Sequence, residues 1–219
     1  MKKRQQQTLK VLAGIVHFFD RYAIEAGPAH ASSSRLELDA LVKSLTMHGR
    51  AQAAATGELR LCTLRRRILL RELYTRHLRP IVAIARAELA DASAFDFSSA
   101  RFRGDVLRER AVAIAHAAAK HQCLFLRRGL APGFVEQFRA TIDAIDRLGE
   151  ERWRCATRRE ASTAALALGF RRATRLISVL DALVHNRAGG CPAVLSAWAA
   201  VRRGEVPDVR RSLEVSRVA

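Results

Sequence analysis

The sequence predicts an all-α fold, a bundle of long antiparallel helices with coiled-coil-like packing. Three observations carry that prediction. Ala, Leu and Arg dominate the 219 residues, and all three rank high in helix propensity. Apolar residues recur at spacings of three and four and never alternate with a period of two, so strands have no support. Only 5 prolines and 12 glycines punctuate the chain.

The first helix is expected over residues 6–26. Leu12, Ile15, Phe19 and Tyr22 form its apolar stripe, with Val16 and Ala23 widening it, and Gly27-Pro28 ends it. Ser32, Ser33 and Ser34 offer N-caps for a second helix, where Glu37 completes a capping box from Ser34. Its apolar face is Leu38, Leu41, Val42 and Leu45. The pattern fades through Ala53-Ala54-Ala55-Thr56-Gly57, which reads as a break or a mobile stretch. A third helix resumes on Leu61, Leu64, Ile68, Leu69 and Leu73, kinks at Pro80 and continues through Ile81, Ile84 and Leu89.

Residues 91–104 form the long irregular stretch, where Phe95, Phe97 and Phe102 are expected to pin the loop onto the core. A binding surface is the sharper alternative for the three rings. The fourth helix is expected over 105–128, with Leu107, Ala111, Ile114, Ala118 and Phe125 as its seam. Gly129, Pro132 and Gly133 make a turn, with Pro132 placed to open the next helix.

From there one seam runs Phe134, Phe138, Thr141, Ile145, Leu148. A second runs Leu166, Gly169, Ala173, Leu176, Leu180, Leu183. Strict alternation joins them through Arg152, Cys155, Arg159 and Ser162, so they share one register. That favours a single helix of about 50 residues over 134–184, some 75 Å long at 1.5 Å per residue. The alternative is a hairpin near Gly149 whose phase match is accidental. Gly189-Gly190 stops this element, and Pro192 opens a last helix anchored by Leu195 and Trp198. One bundle domain over 1–203 and a disordered polar tail over 204–219 are expected.

The net charge is +17, from 38 basic and 21 acidic residues. Five of the basic residues are Lys (Lys2, Lys3, Lys10, Lys43, Lys120) and the rest are Arg. Such a balance can mark a polyanion partner, or arginines spread over solvated faces with their stems on apolar surface. Three clusters stand out as candidate polyanion-binding residues. They are Arg65, Arg66, Arg67 and Arg71; Arg152, Trp153, Arg154, Arg158 and Arg159; and Arg171, Arg172 and Arg175. A guanidinium suits bidentate phosphate contact and Trp153 could stack on a base. Glu150, Glu151 and Glu160 partly neutralise the second cluster.

Catalytic signals are missing. There is no Gly-x-Ser-x-Gly elbow, phosphate-cradling loop or dinucleotide fingerprint. Cys62, Cys123, Cys155 and Cys191 are far apart without a CxxC pair and read as reduced thiols of a cytoplasmic protein. His17 with Asp20 and Asp181 with His185 read as ordinary helix-face pairs, so no metal and no cofactor are expected. Met1-Lys2-Lys3-Arg4 before an apolar stretch faintly resembles a signal peptide, but Lys10, His17 and Asp20 interrupt it. No run approaches the roughly 18 apolar residues of a membrane span.

Some segments resemble a group of uncharacterised bacterial all-helical proteins of similar length. The resembling residues are Arg4-Gln5-Gln6-Gln7-Thr8 with Lys10, then Arg175-Leu176, Leu180-Asp181-Ala182-Leu183-Val184 and Asn186, then Pro192-Ala193 with Ala197-Trp198. They cover under a fifth of the chain, and the resemblance implies a bundle without an activity.

Two functions follow as expectations. The first is a self-associating interaction or scaffold protein, motivated by polar residues such as Arg152 and Arg159 on the seam, where an unmet charge is costly. The second is non-specific binding of nucleic acid or an acidic protein through the arginine clusters. A membrane-surface role for the first helix ranks third, because the bundle needs the same apolar stripe.

Overall fold

The computed structural model describes residues 3–22, 33–97, 104–188 and 191–205. Among them every regular element is helical. These are α1 (Lys3–Arg21), α2 (Ser33–Glu72), a π-helical turn (Leu73–Leu78), α3 (Arg79–Glu88), a 3-10 turn (Ser93–Phe95), α4 (Gly104–Lys120), α5 (Gln122–Arg127), α6 (Phe134–Ala188) and α7 (Pro192–Arg203). No described helix is long and apolar enough to cross a membrane. The Gly27-Pro28 stop, Phe102, the Gly189-Gly190 stop and the tail beyond Glu205 lie outside the described residues.

The expected helix over 134–184 exists as α6, 55 residues long. Its seam continues through the polar middle: Phe138, Ile142, Ile145, Cys155, Ser162, Leu166, Ala173, Leu180 and Val184 are all buried. Gly149 does not break it, because one helical glycine costs only about 1 kcal/mol against Ala.

Two compact units share the long helices. One comprises Met1–Ala55 with Thr157–Ala219, the other Thr56–Ala156. The first unit packs α1, the start of α2, the end of α6, and α7 around Leu12, Ile15, Phe19, Leu38, Leu45, Leu166, Leu180 and Trp198. Trp198 is its anchor, lying 5.0 Å from the Phe18 ring and donating Nε1–H to Asp181 Oδ1 at 2.7 Å. Arg202 reaches the same carboxylate at 2.7 Å. Arg35 is buried, pairs with Asp20 at 2.8 Å and also with Asp39, and lies 6.0 Å from the Phe19 ring. Antiparallel α2–α6 pairing is marked by Gln52 donating to Thr163 and by the Arg172–Glu37 ion pair.

The second unit packs the rest of α2, the π turn, α3, α4, α5 and the start of α6 around Leu73, Leu78, Ile81, Ala111, Ile114, Phe125, Phe134 and Phe138. Phe95 and Phe97 are buried in it, so these two rings do pin their loop. Asp91 turns the chain there by accepting the Ser93 N–H at 2.9 Å. Arg108 clamps α4 to α6 through Asp146, with one bond of 2.7 Å.

Several expectations change. Residues 53–57 do not interrupt the chain; α2 runs through them. Four of the five are Ala or Thr, which cost a helix little, and Ala55 is buried. Ser34 lies inside α2, so it is no cap, and Glu37 faces Arg172 instead. The fourth helix divides at His121, whose φ of −110° and ψ of 23° leave the helical region. The break swings Phe125 into the core, 5.8 Å from Phe95 and 5.6 Å from Phe134. Pro132 stays in the turn, and Gly133 at φ 78° delays the start of α6 to Phe134. Pro80 does not end its helix. It has no N–H for the Arg76 carbonyl and its ring crowds that oxygen, so the preceding turn widens to π geometry.

The two glycines of α6 beyond its first turn give a paired prediction. At Gly169 a Cβ would lie 2.6 Å from Leu45 Cδ2 and 3.3 Å from Leu45 Cγ, inside the core. At Gly149 it would meet nothing within 4 Å. Gly149→Ala is expected to stabilise by about 0.5–1 kcal/mol. Gly169→Ala is expected to destabilise by about 1 kcal/mol net, because overpacking outweighs the propensity gain. Urea unfolding of the two variants checks the opposite signs.

Candidate functional site

The largest departure from the expected seam falls on α2. Leu61, Leu64 and Ile68 were placed on the core-facing row, yet they are 55%, 53% and 57% exposed. The row that packs is Cys62, Leu69, Leu70, Leu73 and His77. At 100° per residue, Leu61, Leu64 and Ile68 lie within about 60° of one another and about 150° from that core row. They form a continuous apolar stripe on the outer face of a folded helix.

Arginines border the stripe. By the same wheel Arg60, Arg67 and Arg71 flank one side and Arg65 the other. All four are exposed, and none is paired with a carboxylate among the described residues. Arg76 continues the second flank but is tied to Glu72 at 3.1 Å. Arg66 is half-buried and turns toward the core side. Of the first cluster, therefore, Arg65, Arg67 and Arg71 join the stripe and Arg66 does not.

The second cluster is arranged differently. Trp153 is 70% exposed and lies on the face of α6 about 160° from Cys155, which points into the seam. Arg154 is held by Glu150 at 3.2 Å. Arg152 is exposed and off the seam, contrary to its expected place, because the seam steps from Leu148 to Cys155 and leaves it to one side. Arg159 is half-buried and Arg158 exposed. Arg171, Arg172 and Arg175 belong to the other unit, where they line a shallow depression with Leu168 and Val179. Arg172 is occupied by Glu37. Within the second unit Arg65, Arg67 and Arg71 flank the α2 stripe, and Arg152 and Arg154 are exposed on α6.

The His/Asp pairs take structural roles. Asp20 serves Arg35, and Asp181 joins α6 to α7. The Trp198 hydrogen bond, opposed by burial and aided by Arg202 and then His185, holds the Asp181 carboxyl below its ordinary range. Among the described residues no group of three or more His, Cys, Asp or Glu is placed to hold a metal ion. A groove of about 640 Å³ lies between α1 and α7, lined by Val11, Gly14, Phe18 and Val201 with Lys10 and His17. No family model, curated protein or solved structure matches the chain.

The stripe was hard to see because two apolar rows interleave on α2. A reader counting from Leu61 finds a good seam at 61, 64 and 68, and one counting from Cys62 finds another at 62, 69 and 73. The run of arginines on both sides of the first row was the signal that it faces water.

His77, within the π turn, is a buried titratable group of this unit. It stacks on Phe138 at 5.3 Å and 10°, and its Nε2 lies 3.2 Å from Thr141 Oγ1. Burial, then the charge of Arg76, pushes its pKa below the ordinary 6.5, with Glu72 opposing. The fold therefore prefers the neutral ring, and protonation favours the unfolded chain. Stability should be full above pH 6.5 and fall as acid takes the pH through and below that value. His77→Phe keeps the stack and removes the proton site. Thermal midpoints from pH 7.5 to 5.5 should fall less steeply in that variant than in the wild type.

Proposed function

We propose that this chain is a helical interaction protein, and that the α2 stripe docks an acidic amphipathic helix of a partner protein. The observation behind this reading is the juxtaposition of Leu61, Leu64 and Ile68 with unpaired arginines on both sides. Spacing of i, i+3 and i+7 is how one helix face presents anchors to another. Arginines at the border select carboxylates, and their stems extend the apolar area.

Charge decides among occupants. A second copy on this face would set arginine against arginine, a like-charge arrangement that disfavours the pairing. Self-association thus fits this surface less well than a partner with acidic flanks. A nucleic acid has phosphates for the arginines and little use for three aliphatic side chains. The observation favouring that second reading is Trp153, exposed between Arg152 and Arg154, where a base could stack.

Magnitudes point to a transient contact. Burying the remaining half of three aliphatic side chains gives roughly 3 kcal/mol, and each exposed ion pair adds about 1 kcal/mol or less. Against at least about 4 kcal/mol of entropy lost on association, this supports weak binding, millimolar at best.

The probe is a designed helical peptide with Leu at i, i+3 and i+7 and Glu flanks, followed by fluorescence anisotropy. Weak binding, roughly millimolar, is expected, with a loss of about tenfold or more in Leu64→Asp, a substitution at an exposed site that should leave helicity intact. A Lys-flanked version of the peptide should not bind. Equal binding of both peptides, or no change in Leu64→Asp, overturns the reading. A random duplex that binds at low salt, and is released by Trp153→Ala but not Leu64→Asp, favours the nucleic-acid alternative.

A further inference from the structure

Two cysteines meet where α2 and α6 pass each other in the second unit. Glu58 and Cys62 stand one turn apart on α2, and Glu151 and Cys155 stand one turn apart on α6. The same Glu-x-x-x-Cys spacing thus occurs on both helices. The pairing is crossed: the Cys155 thiol donates to Glu58 Oε2 at 3.3 Å and the Cys62 thiol to Glu151 Oε2 at 3.9 Å. The crossed contacts bring the two thiols side by side, and Cys155 contributes to raising the Cys62 pKa. Both cysteines are buried, while Glu58 and Glu151 reach in from exposed positions. The result is a row of carboxylate, thiol, thiol, carboxylate across the seam.

Simple packing does not call for this row. Buried cysteines behave as small hydrophobes and need no carboxylate beside them. The alternating order matches a dithiol whose reduced form holds its protons on donors with assigned acceptors. Joining the sulfurs would remove both donors, so the two redox forms differ in the hydrogen bonds that cross the helix pair.

We propose that Cys62 and Cys155 form a redox-active dithiol that closes to an intramolecular disulfide between α2 and α6 when a peroxide oxidises it. One sulfur, as thiolate, attacks an oxygen of hydrogen peroxide. The O–O bond breaks, leaving a sulfenic acid and a hydroxide that takes up the thiol's proton. The second sulfur then attacks the sulfenic sulfur. The S–S bond forms, the S–O bond breaks, and the departing hydroxide leaves as water with the second thiol's proton. Overall two thiols and one peroxide give one disulfide and two waters, with the sulfurs losing two electrons and the peroxide oxygens gaining them.

The surroundings set the pace. Burial, then Cys155, then Glu151 hold the Cys62 thiol above its ordinary value, and Arg65 pulls the other way. The groups facing the pair are Glu58 and Arg65 from α2 and Glu151 from α6. Since the thiolate is the nucleophile, closure should be slow at neutral pH and accelerate as pH rises.

The experiment treats the full chain, carrying Cys123→Ser and Cys191→Ser, with equimolar hydrogen peroxide. Alkylation, digestion and mass spectrometry then map the linkages. A peptide cross-linked between Cys62 and Cys155, lighter by two hydrogens, is expected in a monomeric chain, and dithiothreitol should reverse it. The unfolding midpoint should rise, because the bond closes a long loop. Glu151→Gln should speed closure several-fold at neutral pH, whereas a purely packing role predicts no change in rate. Sulfinic acid at either position without a cross-link, or a bond only between chains, overturns the proposal. Unchanged alkylation of both thiols after overnight peroxide at pH 9 does the same.

Discussion

The structure depends on one constraint: α6 must keep a single face against its neighbours for 55 residues. Apart from Val135 beside Phe134, the buried side chains along it follow one three-four step from Phe134 to Val184. Both cores use that face, the Phe138 and Ile145 end in one unit and the Leu166 to Val184 end in the other. Bulk falls away where the units change over. There the seam carries Cys155, Arg159 and Ser162, and α2 answers with Ala55 and Cys62. Within the second unit the polar contact of Cys155 with Glu58 takes the place of aliphatic packing.

The distribution of charge follows from this layout. With so much of each long helix facing water, arginines fill the outer faces, and many find i, i+4 or cross-helix carboxylates. The arginines beside Leu61, Leu64 and Ile68 are different because they lack such partners and because the residues between them are apolar. A solvated face normally intersperses both signs. Here one sign borders an aliphatic row, which is the composition of a contact surface.

Much of the fold was legible in the sequence. The α6 register could be followed through its polar middle to Cys155 and Ser162 because seam phase survives a change of residue type, although Arg152 itself falls beside the seam. Helix ends were read less well. Ser34 looked like a cap and Ala53 to Gly57 like a break, yet tertiary pairing of α2 with α6 outweighed both local signals. His121 gave no warning, because nothing in its side chain forbids a helix; the demand for Phe125 in the core decides it. The candidate surface was half legible. Its arginines were noted, but Leu61, Leu64 and Ile68 were assigned to the core, since periodicity says which residues share a face and not which way that face points. Cys62 and Cys155 are 93 positions apart, and only antiparallel pairing brings them together.

The π turn at Leu73–Leu78 has a consequence for how the chain must be counted. Upstream, the core-facing row is Cys62, Leu69 and Leu73; downstream it is Leu78, Ile81, Val82 and Ala85. On an uninterrupted α-helical wheel the two rows point about 150° apart. Six residues wound at about 4.4 per turn lag an α-helix by about 110°, which brings the rows to within about 40° of each other. Pro80 thus does more than tolerate a wide turn. It fixes a one-residue frameshift in the helical count, and the apolar pattern on either side is written in two different reading frames that only this turn reconciles.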